Sequence, residues 1–242
     1  MAGSEGSAGR PAGAGPTLPR ILDPRAVPIA GTDAHLPALP AHAIDEAALR
    51  RQLAQSADFV PERRGDGRDL DTSAVAAAVL VPMVQRAGHL HVLLTRRSAH
   101  LRDHAGQISF PGGRAEASDA DLSDTALRET EEEVGLSRRH IDVVGALPTY
   151  TTITRYVVTP VIGIVTPPFD LRLDRTEVDE AFEVPLSFLM NPAHHQRHEF
   201  VFEGGQRQFL SMPWRSPQGG DEYFIWGATA AMLRNLYRLL AR

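Results

Sequence analysis

The sequence predicts a single α/β (α+β) sandwich domain, and two observations support this class. Strand-like apolar runs outnumber helix-like segments, and helices are expected before, between and after the strands. Elements in that order bury their apolar faces when the helices pack against the faces of a sheet. The length of 242 residues is ample for one such core, and the chain shows no internal repeat.

The apolar patterns give the expected elements in chain order. Residues 44–55 form an amphipathic pattern that predicts a short helix, and the runs at 74–84 and 89–95 predict a β-hairpin. Two longer helices are expected at 124–134 and 228–240, where apolar residues recur along one face. Further strand-like runs lie at residues 141–147, 157–165, 198–202, 208–212 and 222–226.

Composition divides the chain into three parts. Residues 1–40 are dominated by Gly, Ala, Pro and Ser, so we expect a disordered tail with too little apolar surface to fold. Residues 41–72 are expected to hold the N-terminal helix and a polar linker. Residues 73–242 are expected to form the main domain.

Two missing residue types exclude several kinds of active site. The chain has no cysteine, and all 25 of its Lys and Arg residues are arginine. Disulfides, thiolate zinc sites and cysteine nucleophiles are therefore excluded. A Schiff-base lysine and a P-loop are excluded as well, because both require lysine.

Charge and hydropathy give expectations about partners and location. A net charge of −5 argues against a protein that holds nucleic acid on a broad basic surface. No run approaches the ~20 apolar residues that span a bilayer, and no secretory signal is recognised. We expect a soluble, cytoplasmic protein without nucleic-acid or membrane partners, and the sequence does not indicate an oligomeric state.

The second predicted helix carries a dense group of carboxylates. Ser123 is a suitable N-cap, and Gly135 stands where helices often end in a left-handed residue. At about 100° per residue, Glu129, Glu132 and Glu133 fall on one face, opposite the apolar face. Such a helix is expected to present three carboxylates together within one turn.

This group of carboxylates predicts a metal site. The three charges repel one another, and Arg128 can pair with one of them at i+4. A divalent cation such as Mg²⁺ or Mn²⁺ takes oxygen ligands and would relieve the repulsion. A solvated acidic face is the alternative. The preceding loop, Phe-Pro-Gly-Gly at 110–113, favours the site, because glycine backbone at Gly112 and Gly113 can closely approach a diphosphate.

The glycine loop and the acidic helix resemble the Nudix box, G-x5-E-x7-R-E-U-x-E-E-x-G-U, in which U is aliphatic. Residues 128–136 match its second half except at Thr130, where an aliphatic residue is usual. The first half departs further. Gly113 lies one residue too far from Arg128, and Asp119 takes the place of the box glutamate.

The segment before the box resembles the signature of the coenzyme A pyrophosphatase branch of the Nudix hydrolases. Residues 93–113 agree with every specified position of L-L-T-x-R-[SA]-x3-R-x3-G-x3-F-P-G-G. That branch also commonly carries the one-residue expansion of the box. The resemblance implies a Nudix-type α/β/α sandwich with a mixed central β-sheet over residues 73–242.

The same resemblance implies a reaction and a metal. The reaction is metal-dependent hydrolysis of the diphosphate bond of coenzyme A or its derivatives, which gives 3′,5′-ADP and 4′-phosphopantetheine or its acylated form. Glu129, Glu132 and Glu133 would be catalytic and would hold Mg²⁺ or Mn²⁺. Gly112 and Gly113 would contact the substrate.

Three further side chains are candidates for this site. Arg97 and Arg102 stand in the signature and would bind the 3′-phosphate of coenzyme A, because a guanidinium binds phosphate as a bidentate fork. Each could instead pair with a carboxylate such as Asp103. Glu177 is the candidate general base, with Glu180 as its alternative, although both could lie in a solvated charged loop.

Two other functions stay open at this point. The substrate could be another nucleoside diphosphate derivative, such as ADP-ribose, NADH or a dinucleotide polyphosphate. The chain could also be a non-catalytic Nudix-fold binding module. Such a module need not keep the three box glutamates, all of which are present here.

Overall fold

The computed structural model describes residues 21–66, 74–101, 104–203 and 205–242. Within them the strands are β1 (Ile29–Thr32), β2 (Val75–Arg86), β3 (His89–Arg97), β4 (Ile108–Ser109), β5 (Gly112–Arg114), β6 (Ile141–Ala146), β7 (Tyr150–Thr151), β8 (Tyr156–Val165), β9 (Val178–Pro185), β10 (Gln196–Phe202), β11 (Gly205–Trp214) and β12 (Tyr223–Trp226). The helices are α1 (Glu46–Ala54), α2 (Leu122–Val134), α3 (Leu186–Leu189) and α4 (Gly227–Leu240). None of these helices has the length and apolarity that crossing a bilayer requires.

The strands form two sheets. The larger has the order β4-β3-β2-β8-β6, with β5 paired to β2, β7 to β8 and β9 to β3. Strands β2 and β8 run parallel, whereas the other pairs in this sheet are antiparallel, so the sheet is mixed. The smaller sheet is antiparallel and has the order β1-β10-β11-β12.

Helices cover both faces of the larger sheet. Ala78 and Leu80 of β2 pack with Ala126 of α2 on one face. Val81, which points to the opposite face of the same strand, belongs to the main core together with Leu233 of α4. The layers are therefore helix, mixed sheet and helix, and the expected α/β/α sandwich is confirmed.

Strand β9 occupies a stretch whose acidic residues favour a charged loop in the sequence. It pairs antiparallel with β3 along its whole length and buries Val178, Phe182 and Val184. Aspartate and glutamate between these residues weaken the apolar pattern that would otherwise indicate a strand. The pairing brings Glu180 beside Arg96 and places Glu177, just before the strand, at the same end of the sheet.

The N-terminal segment corrects the predicted tail of residues 1–40. Residues 1–20 lie outside the described residues, but residues 21–40 pack on the domain and contribute β1, which extends the smaller sheet by pairing with β10. The buried imidazole of His198 bonds the backbone carbonyl of Val27 at 3.0 Å and the hydroxyl of Ser211 at 2.8 Å. Tertiary contacts therefore order a segment whose composition alone cannot form a core.

A buried ion network attaches this segment to α4. The guanidinium of Arg234, with only 3% of its side chain exposed, lies 3.0 Å from the carboxylate of Asp33 and 2.8 Å from that of Glu62. It also donates to Nδ1 of His195 at 3.0 Å. Burial, together with the charge of Arg234, lowers the pKa of His195 to about 4, so this ring is neutral and can accept that bond.

Truncation tests whether the N-terminal segment is part of the folded unit. Deleting residues 1–40 removes Asp33 and leaves part of the Arg234 charge buried without its partner. Removing one partner of a buried pair costs about 3–5 kcal/mol, which corresponds to a fall in Tm of roughly 10 °C. The control is a smaller deletion, of residues 1–20 only, which leaves a chain that begins at Ile21 and keeps every contact described above. Equal melting temperatures for the two chains, measured by calorimetry, would contradict the docking.

Candidate active site

Two caps fix the ends of the carboxylate-bearing helix α2. The side chain of Asp121 accepts a hydrogen bond from the backbone N–H of Asp124 at 2.8 Å. The helix therefore begins two residues earlier than expected, and the predicted N-cap, Ser123, lies inside the first turn. Gly135 has a φ of 68° and ends the helix in the left-handed conformation, as predicted.

The three box glutamates differ widely in exposure, which the helical angles alone do not predict. The side chain of Glu132 is 59% exposed, that of Glu129 is 17% exposed, and that of Glu133 is only 4% exposed. Glu133 turns toward the sheet because β5 begins with Gly112 and Gly113. With no side chains there, the sheet leaves room for a carboxylate.

The glycine pair forms the wall against which two of these carboxylates rest. The backbone N–H of Gly112 donates to Oε2 of Glu133 at 3.2 Å. A Cβ on Gly113 would lie 2.6 Å from the carboxylate of Glu129, and one on Gly112 would lie 2.4 Å from the carbonyl oxygen of Ala78. Both positions therefore require glycine, one for space beside a carboxylate and the other for close packing on β2.

Arg97 is the charged neighbour of the buried glutamate. Its Nη1 lies 3.5 Å from Oε1 of Glu133, and a quarter of its side chain stays exposed. The arginine therefore pairs with a box carboxylate, whereas Asp103, the partner considered in the sequence, lies outside the described residues together with Arg102. Arg97 compensates part of the charge that the fold buries here.

Arg128 ties the loop before α2 to the helix. It binds the carboxylate of Asp119 through Nε at 2.8 Å and Nη2 at 3.1 Å, and Nη2 also donates to the carbonyl of Arg114. Its Nη1 lies 2.9 Å from Glu129 and 3.1 Å from Glu132, so the expected i+4 pair is confirmed. Asp119, which replaces the box glutamate, is thus a counter-ion to Arg128, whose hydrogen bond keeps the aspartate pKa well below its usual range.

Thr130, the other departure from the box, is accommodated within the helix. Its side chain is fully buried, and its hydroxyl donates to the carbonyl of Ala126 at 2.6 Å. A buried hydroxyl that keeps such a partner avoids the desolvation cost of an unsatisfied group. Threonine can therefore fill the place of an aliphatic residue without opening the core.

Burial and neighbouring carboxylates make this cluster electrostatically costly. Burial, with smaller contributions from Glu177 and Glu129, raises the pKa of Glu133 to about 7, although Arg97 and the Gly112 N–H act in the opposite direction. Burial likewise raises the pKa of Glu129, as do the charges of nearby Glu132 and Glu177, despite the opposing effect of Arg128. Glu177 therefore lies close enough to influence both glutamates.

The box glutamates are chemically suited to a divalent cation, although their side chains do not converge on one point. In the part of the chain that the structure describes, no three His, Asp or Glu side chains converge closely enough to hold an ion. The donors are nevertheless carboxylate oxygens, the ligands that Mg²⁺ and Mn²⁺ prefer. Gly113 also keeps open the space in front of Glu129 that a Cβ would fill.

Glu180 does not join the cluster. It accepts a hydrogen bond from the hydroxyl of Tyr223 at 2.6 Å and pairs with Arg96 at 3.2 Å. Successive residues of a strand point to opposite faces, so Arg96 lies on the α4 side of the sheet and its neighbour Arg97 on the α2 side. Arg96 and Tyr223 carry no signal in the sequence, because neither occupies a specified position of the resemblance.

The raised pKa of Glu133 predicts how the metal-free protein responds to pH. The folded state holds a proton on Glu133 that the unfolded state has lost, so stability falls as pH rises from about 4.5 to 7. In chelator at about pH 8, Glu133→Gln should therefore be more stable than the native chain, by up to roughly 3 kcal/mol, and the difference should vanish only below about pH 4. Glu132→Gln, at the exposed carboxylate, is the control. A difference in Tm between Glu133→Gln and the native chain that is independent of pH would contradict this account.

Comparisons with known proteins identify relatives of this chain. The sequence profile of the NUDIX domain matches residues 74–203, more than half of the chain. The chain is 40% identical over 160 residues to an uncharacterized Nudix hydrolase, NudL, of Shigella boydii serotype 4 (strain Sb227), which covers 66% of this chain and 80% of the relative. NudL of Escherichia coli O1:K1 / APEC is 39% identical over the same length. A solved Ap4A hydrolase binary complex of C. elegans is 23% identical, with a TM-score of 0.41, over 50% of this chain and 86% of that chain. The domain match and the NudL relatives show that this chain belongs to the Nudix family and is a hydrolase acting on phosphorus-containing anhydrides.

Proposed function

We propose that this Nudix hydrolase cleaves the diphosphate bond of coenzyme A or its acyl derivatives, giving 3′,5′-ADP and 4′-phosphopantetheine or its acylated form. Segment 93–113, with its complete coenzyme A pyrophosphatase signature, supports this substrate most directly. Two positions of the segment, Arg97 and Gly112, contact the same carboxylate of Glu133. Because the signature segment and helix α2 meet at Glu133, this contact supports a role for both in binding and cleaving the same substrate.

Glu129, Glu132 and Glu133 would hold Mg²⁺ or Mn²⁺ in this reaction. When bound, the ion neutralises diphosphate charge and lowers the pKa of a bound water. The glycine backbone at 112–113 leaves room for the diphosphate beside these carboxylates. Most of the rate would then come from positioning and from electrostatic stabilisation of the charge that develops.

The position of Arg97 favours the diphosphate over the 3′-phosphate. Its guanidinium contacts Glu133, so a phosphate that binds it lies beside the carboxylate cluster, where the bond is cut. A guanidinium can bind phosphate oxygens through two parallel hydrogen bonds. Arg102 of the signature is then the remaining candidate for the 3′-phosphate.

Glu177 is the proposed general base. It is exposed at the start of β9, and its charge acts on both Glu129 and Glu133. An exposed carboxylate near the cluster can accept a proton from the attacking water and release it to solvent. Glu180, held between Arg96 and Tyr223, lacks that freedom.

A glycine substitution tests whether the space beside Glu129 is required for activity. In Gly113→Ala, the added Cβ would lie 2.6 Å from the Glu129 carboxylate and displace it. We expect kcat/KM to fall about 100-fold or more, because misplacing a positioned group by about 1 Å can cost that much. The control is Gly205→Ala, whose Cβ meets Phe202 at an ordinary 3.5 Å. Similar activity in the two variants would contradict a role for Gly113.

A substrate panel tests the proposed function directly. We expect coenzyme A with Mg²⁺ or Mn²⁺ to give the two predicted products by mass, with lower kcat/KM for dephospho-coenzyme A, ADP-ribose, NADH and diadenosine polyphosphates. Glu129→Gln and Glu133→Gln should each lower turnover by orders of magnitude, because the amide removes charge from the metal site. Faster turnover of another member of the panel would reassign the substrate, and unchanged turnover in both variants would overturn the metal assignment.

A further inference from the structure

An open cavity lies on the opposite face of the sheet from α2. It has a volume of about 540 Å³ and is lined by residues 22–25, residues 105–108 and residues of strand β12; we call it the β12 cavity. A volume of this order suits one small organic group. Its walls include two arginines, Arg25 and Arg96, and two aromatic residues, Tyr223 and Phe224.

Arg96 lies over an aromatic pair at this cavity. The ring of Phe182 stacks on that of Tyr223 with the centroids 3.7 Å apart, and the guanidinium carbon of Arg96 lies 5.0 Å from the centroid of Tyr223. Phe182 belongs to the core, whereas Tyr223 and Arg96 line the cavity. A guanidinium is planar and stacks on flat rings, and that of Arg96 lines the cavity, so it can offer a planar ligand a surface to stack on.

Carboxylates hold both arginines in place. Glu180 binds Arg96 at 3.2 Å and the hydroxyl of Tyr223 at 2.6 Å, which fixes ring and guanidinium together. On the other wall, Arg25 lies 4.7 Å from the centroid of Phe224 and bonds the side chain and backbone of Glu222 at 2.8 and 3.1 Å. Both guanidinium groups are thus restrained before any ligand binds, which lowers the entropy cost of binding.

The charge of the β12 cavity does not suit a phosphate. Its two arginines face three lining carboxylates, those of Asp23, Asp221 and Glu222. A neutral planar ring avoids this excess of negative charge and gains from stacking. Carboxylates and the amide of Gln107 can also bond the donors and acceptors at the edge of a heterocycle.

The cavity and the carboxylate cluster lie on either side of the same strand end. Arg96 and Arg97 are consecutive in β3 and point to opposite faces, so the cavity and the carboxylate cluster adjoin the same strand on its two faces. We propose that the β12 cavity receives the nucleobase of the diphosphate substrate, stacked on the guanidinium of Arg96, while the diphosphate lies at Glu133. This inference rests on the proposed function for the identity of its ligand.

Binding of two nucleotide fragments tests the inference without any bond being cleaved. AMP and ribose 5-phosphate carry the same phosphate, and only AMP has a base. By calorimetry in chelator, we expect the native chain to bind AMP about tenfold or more tightly than ribose 5-phosphate, in keeping with the contribution of one stacked base. Equal Kd values, or no measurable binding of AMP, would overturn the proposal.

Point variants assign that preference to the stack. Arg96→Lys keeps the positive charge beside Glu180 but removes the planar guanidinium. The ratio of the Kd of ribose 5-phosphate to that of AMP should therefore fall toward one, while ribose 5-phosphate binding is unchanged. Arg25→Ala removes the arginine on the other wall of the cavity and should also reduce the preference for AMP. Arg50→Ala, at an exposed ion pair with Glu46, is the control and should leave the preference unchanged. Full preference in both Arg96→Lys and Arg25→Ala would overturn the site.

The two proposals fail in different experiments. The proposed function is judged by the products of the diphosphate panel, whereas the nucleobase site is judged by the ratio of two dissociation constants. A native chain that cleaves coenzyme A but binds the two fragments equally would remove the nucleobase site alone. A chain that prefers AMP through Arg96 but cleaves none of the panel would remove the proposed function and keep the site.

Discussion

The buried carboxylate of Glu133 is the constraint on which the rest of the site depends. A carboxylate that is almost fully enclosed must either find partners or take up a proton. Here the Gly112 N–H and the Arg97 guanidinium supply partners, yet its pKa still rises to about 7. The glycines of β5, the end of β3 and the position of α2 are all arranged around this one charge.

The buried carboxylates at this site lower the stability of the metal-free fold, and a bound cation would restore it by neutralising their charge. Two carboxylates with raised pKa values lie beside Glu177, which adds further negative charge. Unfavourable interactions between like charges are common at functional sites, where binding of an oppositely charged ligand removes the repulsion. The same charges that weaken the metal-free fold are therefore the ones that would hold the metal and position a diphosphate.

The chain departs from the Nudix box in places where its own contacts compensate. Asp119 is shorter than the box glutamate, and it meets Arg128 through two hydrogen bonds within the loop that is one residue longer. Thr130 satisfies its hydroxyl inside the helix. Both residues find hydrogen-bond partners in the folded chain, so the departures change how α2 is supported while Glu129, Glu132 and Glu133 are all retained.

The sequence by itself determined the features that depend on neighbours along the chain. The hairpin of β2 and β3, the helix bearing Glu129 and Glu133 and its left-handed end at Gly135 follow from local periodicity and backbone freedom. The acidic residues within β9 obscured that periodicity, and the composition of residues 21–40 gave no sign that they would be ordered. Tertiary structure alone decided that Glu133 is buried, that Arg97 is its partner, that positions 112 and 113 require glycine and that Arg96 lies over Tyr223 at the β12 cavity. These contacts join residues far apart in the chain, and their energies come from burial and charge that exist only once the sheet and helices have come together.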